Sequence, residues 1–228
     1  MNETRAVLWD MDGTLIDSED LHWTCWRDTM ADEGVVITRQ QFRDSFGQRN
    51  DAIISSWMGA ALPPHRVESI GNAKEERYRH LVRTVGVSPL PGVAGWLRRL
   101  HSQGWLQAIA SSAPRANVEA VLESLATAGV FQAIVSAEDV RRGKPDPEVF
   151  LTAAGRVGTS PDRCIVVEDA VAGIEAARNA GMKSIGVSPN GKHLHADVVV
   201  RSLDMLDDPA FDRLLVKPTD RWHQDSSR

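Results

Sequence analysis

The sequence predicts an α/β protein: a doubly wound, mainly parallel sheet of Rossmann-like layout that carries an inserted α-helical cap. Three observations predict it. Short apolar runs recur along the chain, near-continuous rather than alternating, as in strands covered on both faces. Each of the later runs is followed by a segment with the 3.6-residue period of an amphipathic helix, the alternation that builds a parallel sheet. That alternation breaks between residues 18 and 86, where only helical patterns occur. The length of 228 residues fits a core with a modest insertion, being long for one compact domain and short for two.

The elements follow in order. Ala6-Val7-Leu8-Trp9 is the first expected strand. Helical patterns then run from Leu21 to Glu33, Arg39 to Ser45, Asp51 to Gly59 and Arg66 to Val85, and in the last Val67, Ile70, Tyr78, Leu81, Val82 and Val85 fall near one stripe. Ser88-Pro89-Leu90-Pro91-Gly92 is the expected return to the core, since two prolines and a glycine favour a turn. Trp105 to Ala110 is the second strand. Val118, Val121, Leu122 and Leu125 then share a helical face, with Gly129 as the expected C-cap. Ala133-Ile134-Val135 precedes a face of Val149, Phe150, Ala153, Ala154 and Val157. Cys164 to Val167 precedes a helix with Ile174, Ala177 and Arg178, closed by Gly181, and Ser184 to Val187 and Val198 to Val200 complete the strands. The expected division is a discontinuous core at 1–17 and 87–216, a helical cap at 18–86 and a polar tail at 217–228.

Composition excludes several classes. Hydrophobic residues at 42% and charged residues at 25% are ordinary globular values. With Lys and Arg at 26 against Asp and Glu at 31, the net charge is −5, leaving no basic excess for a nucleic-acid backbone. No apolar run reaches the roughly 20 residues of a membrane helix. Val7-Leu8-Trp9 meets Asp10 at once, too short a stretch for a signal peptide. Cys25 and Cys164 have no disulfide or metal spacing and read as small buried apolar residues. A cytoplasmic, monomeric protein without nucleic-acid or membrane partners is expected.

The chemistry concentrates in Asp10-Met11-Asp12-Gly13-Thr14-Leu15, directly after an apolar strand. Two carboxylates at a strand's C-terminal end sit where open α/β sheets bind ligands, and Gly13 allows a tight turn away. Three further stretches follow in order: Ile109-Ala110-Ser111-Ser112 ending a strand, Gly143-Lys144-Pro145-Asp146-Pro147 opening a helix, and Val166-Val167-Glu168-Asp169-Ala170 with Gly173 ending another strand. Alone, Ser111 reads as a turn or cap residue and Lys144 as a solvated one. Together and in this order the four stretches resemble the four motifs of the haloacid dehalogenase superfamily, whose members are mostly phosphatases. The resemblance runs from Ala6 to about Val200.

The resemblance implies roles. Asp10 is the nucleophile and forms an aspartyl-phosphate; Asp12 protonates the leaving oxygen and then activates water. Ser111 donates to the transferring phosphoryl group, Ser112 lies beside it as a substrate contact, and Lys144 neutralises Asp10 and phosphate together. Mg²⁺, needed because a phosphate dianion repels an anionic nucleophile, falls to Asp10 and Asp169 with the Asp12 backbone carbonyl, and Glu168 ligates or orients it. The helical stretch after the first motif matches members with an α-helical cap, here in the β-phosphoglucomutase-like branch. His22 is at the position of a histidine in that branch, although a single His on a helix is most often structural. Thr14 fixes the turn.

A Mg²⁺-dependent phosphatase of a small phosphorylated metabolite, a sugar or polyol phosphate, is the expected function. A phosphomutase is the alternative, with a haloacid dehalogenase and a non-catalytic binding module more remote. A mutase must hold a bisphosphate both ways round and so needs a second cationic site. In β-phosphoglucomutases that loop reads as a basic residue, Gly, two spacers and Arg. Here Phe46-Gly47-Gln48-Arg49-Asn50 puts Phe at the basic position and Arg49 one residue early, so Arg49 alone grips the distal group unless Lys74 adds charge. Hydrolysis is therefore expected over isomerisation.

Overall fold

In the computed structural model, residues 4–191 and 193–216 are described; the expected polar tail at 217–228 lies outside them. The first strand, β1 (Ala6–Trp9), is followed by four helices: α1 (Glu19–Asp32), α2 (Arg39–Ser45), α3 (Asn50–Met58) and α4 (Pro64–Val85). The chain then alternates through α5 (Val93–Ser102), β2 (Leu106–Ala110), α6 (Arg115–Leu125), β3 (Ala133–Val135), α7 (Glu148–Arg156), β4 (Cys164–Glu168), α8 (Val171–Asn179), β5 (Lys183–Val187), β6 (Val198–Val200) and α9 (Ala210–Leu215). The six strands form one sheet in the order β3-β2-β1-β4-β5-β6, and every adjacent pair is parallel.

The two-residue period of β1 divides its buried side chains between two cores. Val7 and Trp9 join Trp96, Leu97 and Leu100 of α5, Val118 and Val121 of α6 and Phe211 of α9. Ala6 and Leu8 join Val149, Phe150 and Ala153 of α7 and Ala176 and Ala177 of α8. Helices therefore cover both faces, which is why the strands read as unbroken apolar runs. A third core lies among α1 to α4, around Trp26, Met30, Phe42, Ile54 and Ile70. There α2 begins with a capping box: the Gln41 N–H donates to Thr38 Oγ1 at 3.1 Å, and the Thr38 N–H donates to Gln41 Oε1 at 2.8 Å.

Three local readings are amended. α5 has the helical spacing Val93, Trp96, Leu97, Leu100, all buried, but follows the expected linker in a stretch for which no helix was expected. α9 likewise stands in a stretch read without an element. Gly129 is not the cap of α6: the apolar face runs out at Leu125, Ala126 turns left-handed at φ +52°, and Gly129 lies in a 3₁₀ turn beyond.

The two chain segments joining the helical stretch to the sheet run side by side. Ile16 forms an isolated bridge with Pro89, and the Leu90 N–H donates to Leu15 O at 2.9 Å. The first leaves the C-terminal end of β1, and the second continues into α5. That end of β1 is the switch point of the sheet, because β1 has β2 on one side and β4 on the other.

Candidate active site

Asp10 leaves the end of β1, and its N–H still pairs with Val167 O at 3.0 Å, so its side chain is aimed by the sheet itself. The neighbouring strand ends bring Ser111 from β2 and Glu168 and Asp169 from β4 to the same edge. Lys144, from the loop before α7, donates to Asp10 Oδ1 at 2.5 Å and to Glu168 Oε1 at 2.8 Å. Glu168 Oε2 accepts the Ala170 N–H at 2.7 Å, which fixes the other end of its carboxylate.

Two glycines make these approaches possible. A Cβ on Gly13 would lie 2.3 Å from Asp169 Oδ2, and one on Gly173 would lie 1.8 Å from Glu168 Oε1. Gly13 also turns at φ +83°. Gly173→Ala must displace Glu168 from both its partners, so a loss of about 1–3 kcal/mol is expected, a fall in Tm of roughly 2–12 °C. A thermal melt checks this; an unchanged Tm would show Glu168 free to swing aside.

Oxygens of Asp10, Glu168 and Asp169 all lie within 4.8 Å of one another. Burial pushes Asp10 up to about 8, with Glu168 and Asp12 adding to the shift and Lys144 opposing it. Burial, then Glu168 and Asp10, also raises Asp169 well above the usual carboxylate range. One ammonium does not balance this many carboxylates. Hard oxygen donors, clustered and short of positive charge, fit a small divalent cation such as Mg²⁺.

Asp12 faces the other way. Its Oδ1 accepts from Ser18 Oγ at 2.5 Å, from His22 Nε2 at 3.2 Å and from the Tyr78 hydroxyl at 3.3 Å. His22 Nδ1 lies 2.9 Å from Lys74 Nζ, which also bonds Glu75 Oε1 at 2.8 Å. An ammonium only donates, so Nδ1 accepts and the imidazole proton sits on Nε2, toward Asp12. The Tyr78 ring stacks on His22 at 4.1 Å and fixes the plane of the imidazole. Burial alone would raise Asp12, but His22, Ser18 and Lys74 outweigh it and leave its carboxyl below the ordinary value.

A cavity of about 740 Å³ separates the strand ends from the helical stretch. Asp10, Asp12, His22, Arg49, Ser111, Ser112, Lys144, Glu168 and Asp169 all line it, so the expected catalytic, substrate-binding and metal-ligating residues face one space. Ser111 is buried, and its Oγ accepts the Ala113 N–H at 3.0 Å. Thr14 Oγ1 donates to Asp169 Oδ1 at 3.4 Å, so Thr14 steadies a carboxylate as well as the turn. Arg49 lays its stem over Gly143 beside Lys144, and its Nε is 3.5 Å from Asp51 Oδ1.

Sequence reasoning missed Ser18, Tyr78, Glu75, Asn50 and Asn117. Lys74 and Tyr78 are buried four residues apart on the row of α4 that holds Ile70 and Val82. A lysine inside an apolar stripe was the available signal.

Among known proteins, the haloacid dehalogenase-like hydrolase family matches residues 7–187. The chain is 32% identical over 203 residues to the β-phosphoglucomutase of Bacillus subtilis (strain 168), covering 86% of this chain and 89% of that protein. It is 35% identical over 210 residues to hexitol phosphatase B of Escherichia coli (strain K12), covering 88% and 93%. A crystal structure of CbbY from Rhodobacter sphaeroides in complex with phosphate superposes with a TM-score of 0.83 at 25% identity, over 91% of this chain and 98% of that one. The chain belongs to the haloacid dehalogenase-like hydrolase family. It is an enzyme, and its relatives named as phosphatases put it with the phosphoric monoester hydrolases. Among the described residues no helix is long and apolar enough to cross a membrane.

Proposed function

We propose that the protein is a Mg²⁺-dependent phosphatase of a small sugar or polyol phosphate. Its mechanism runs through an aspartyl-phosphate on Asp10, and residues 18–86 form a cap over a core at 1–17 and 87–216. The observation that carries this reading is that Asp10, held by Lys144 at 2.5 Å, and Asp12, held by His22 of the helical stretch at 3.2 Å, line one cavity. Asp10 Oδ attacks phosphorus as the bond to the leaving oxygen breaks. Lys144, in contact with Asp10 and Glu168, offsets the charge that builds there. Ser111 Oγ, which accepts the Ala113 N–H at 3.0 Å, keeps its own proton for a phosphoryl oxygen.

Asp12 is ionised in the arrangement seen, which is the state that takes a proton from water in the second half-reaction. To give a proton to the leaving oxygen it must leave its three donors for the field of the phosphate, where nearby negative charge raises its pKa. Ser18, His22 and Tyr78 therefore hold the resting position of Asp12. Asp10, Asp169 and the Asp12 backbone carbonyl would hold Mg²⁺, with Glu168 beside them. The metal supplies charge neutralisation that lets a carboxylate approach a phosphate dianion. The cap excludes water and surrounds the leaving group.

Metal binding has a stability signature. The folded values of Asp10 and Asp169 are raised, so between the unfolded carboxylate value and about 8 the folded state binds more protons than the unfolded one. Stability of the metal-free protein from this cluster therefore falls as pH rises through that window. Mg²⁺ should reverse the trend. Its benefit grows from pH 5 to pH 8 and reaches about 2.7 kcal/mol at a hundredfold excess over Kd, an increase in Tm of roughly 5–10 °C. Thermal melts with Mg²⁺ or a chelator check this, and a Mg²⁺ effect that shrinks with pH would contradict it.

Hydrolysis rather than isomerisation is supported by the cap side of the cavity. Among the described residues there, the cations Arg49 and Lys74 face the anions Asp51, Glu68 and Glu75. Lys74 is engaged by His22 and Glu75, and Phe46 packs against His22 at 5.8 Å between ring centres. A second phosphate finds no uncommitted pair of cations. The test is product analysis on hexitol phosphates and on β-glucose 1-phosphate with a trace of the bisphosphate. Inorganic phosphate is expected; efficient glucose 6-phosphate formation with little free phosphate would overturn the assignment.

A further inference from the structure

We infer that Glu75 is a specificity-determining residue that selects a neutral, hydroxyl-bearing leaving group and rejects one carrying a second anionic group. This deepens the phosphatase reading and rests on it. Glu75 lies on α4, 4% exposed, in the wall of the catalytic cavity. A carboxylate this deep needs partners, and it has three of different origin. Oε1 accepts Asn50 Nδ2 at 2.7 Å and Lys74 Nζ at 2.8 Å. Oε2 accepts Asn117 Nδ2, from the first turn of α6, which packs against α4 and also lines the cavity. Asn117 Oδ1 is in turn held by Arg79 Nη1 at 3.0 Å.

A carboxylate has about four acceptor positions, so three donors leave one. A substrate hydroxyl fills it by donating; a phosphate or carboxylate oxygen has no proton to give and brings like charge into a desolvated wall. Burial works against the charged form of Glu75, but Lys74, His22 and Asn50 hold its carboxyl below the ordinary value, so the charge persists across neutral pH. Lys74 does not compensate for an incoming anion, because its ammonium already bridges Glu75 and His22. Asn50 and Asn117, oriented by the same carboxylate, add amide groups that suit hydroxyls.

The experiment compares kcat/KM of the full-length enzyme, in Mg²⁺, on a hexitol monophosphate and on two substrates of similar size with anionic leaving groups, a hexose bisphosphate and a phosphorylated sugar acid. The wild type is expected to favour the neutral leaving group by at least about 30-fold. Glu75→Gln keeps the shape and removes the charge, and should shrink that preference at least about tenfold, mainly through a lower KM for the anionic substrates. Asn117→Ala removes one arm of the clamp but keeps the charge, and should leave the preference within about threefold. Equal loss on both substrate classes in Glu75→Gln would make the residue purely structural and overturn the inference, as would an Asn117→Ala variant with the same shift. Should Glu75→Gln fail to fold, wild-type inhibition decides: a free hexitol should bind at least about tenfold more tightly than the matching sugar acid, and the reverse order overturns the inference. Aryl phosphate hydrolysis separates the two levels. An enzyme that cleaves aryl phosphate without the charge preference refutes the role of Glu75 alone; one that releases phosphate from nothing refutes the phosphatase reading.

Discussion

Asp10→Asn is expected to abolish hydrolysis of a generic aryl phosphate in Mg²⁺ while leaving the fold intact. The amide matches the carboxyl in shape, so the seat at the end of β1 is preserved, but an amide forms no acyl phosphate here. Deletion of a nucleophile that works with a paired base and an electrostatic clamp typically costs 10⁴-fold or more, roughly, in kcat. Stability should not follow activity. Asp10 and Glu168 share Lys144 with the half-buried Asp169 beside them, and neutralising Asp10 removes one of the charges that add to the effect of burial in raising Asp169. The metal-free Tm should hold or rise, and the increase on adding Mg²⁺ should shrink. Phosphate release and paired melts read both effects. Full turnover in this variant would remove the mechanism.

Lys144→Met should damage both properties. The ammonium is buried between Asp10 and Glu168, and those carboxylates outweigh the burial that would lower its own pKa and push it up instead. Removing one member of a buried pair leaves uncompensated charge at a cost of about 3–5 kcal/mol, a fall in Tm of roughly 6–20 °C. The pH dependence has a definite sign. Without Lys144 the folded value of Asp10 rises further above its unfolded value, so the loss should be larger at pH 8 than at pH 5.5. Turnover should fall about 10²–10³-fold, the usual effect of removing one electrostatic contact to the transferring group. Melts at the two pH values and a rate assay suffice, and an unchanged Tm at pH 8 would contradict the charge balance described.

What was legible in the sequence follows from which interactions are local. The central strands β1, β2 and β4 announce themselves because burial on both faces demands an apolar run, and Asp10, Ser111 and Glu168 are tied to their ends by the backbone. Once the strand order is known, Lys144 needs only a loop to reach them. Tyr78 looked like core because a phenol that is nine-tenths hydrocarbon keeps the apolar stripe of α4, while its hydroxyl serves Asp12. Ser18 and His22 meet Tyr78 only when α1 packs on α4, and Glu75 meets Asn117 only when α4 lies against α6. Those contacts depend on how helices dock, which no spacing encodes. α5 was obscured because the proline-rich turn before it suggested that regular structure had stopped.

The central place of β1 has a consequence for biosynthesis. This strand is made well before both of its partners, β2 at residues 106–110 and β4 at residues 164–168. At about 5–20 residues per second, β4 leaves the ribosome roughly 8–30 s after β1. During that interval Val7, Leu8 and Trp9 have no completed sheet to enter, whereas α1 to α4 can already collapse around Trp26 and Phe42. Until β2 and β4 are made, β1 is thus an unpaired apolar strand, the kind of edge that another chain can join.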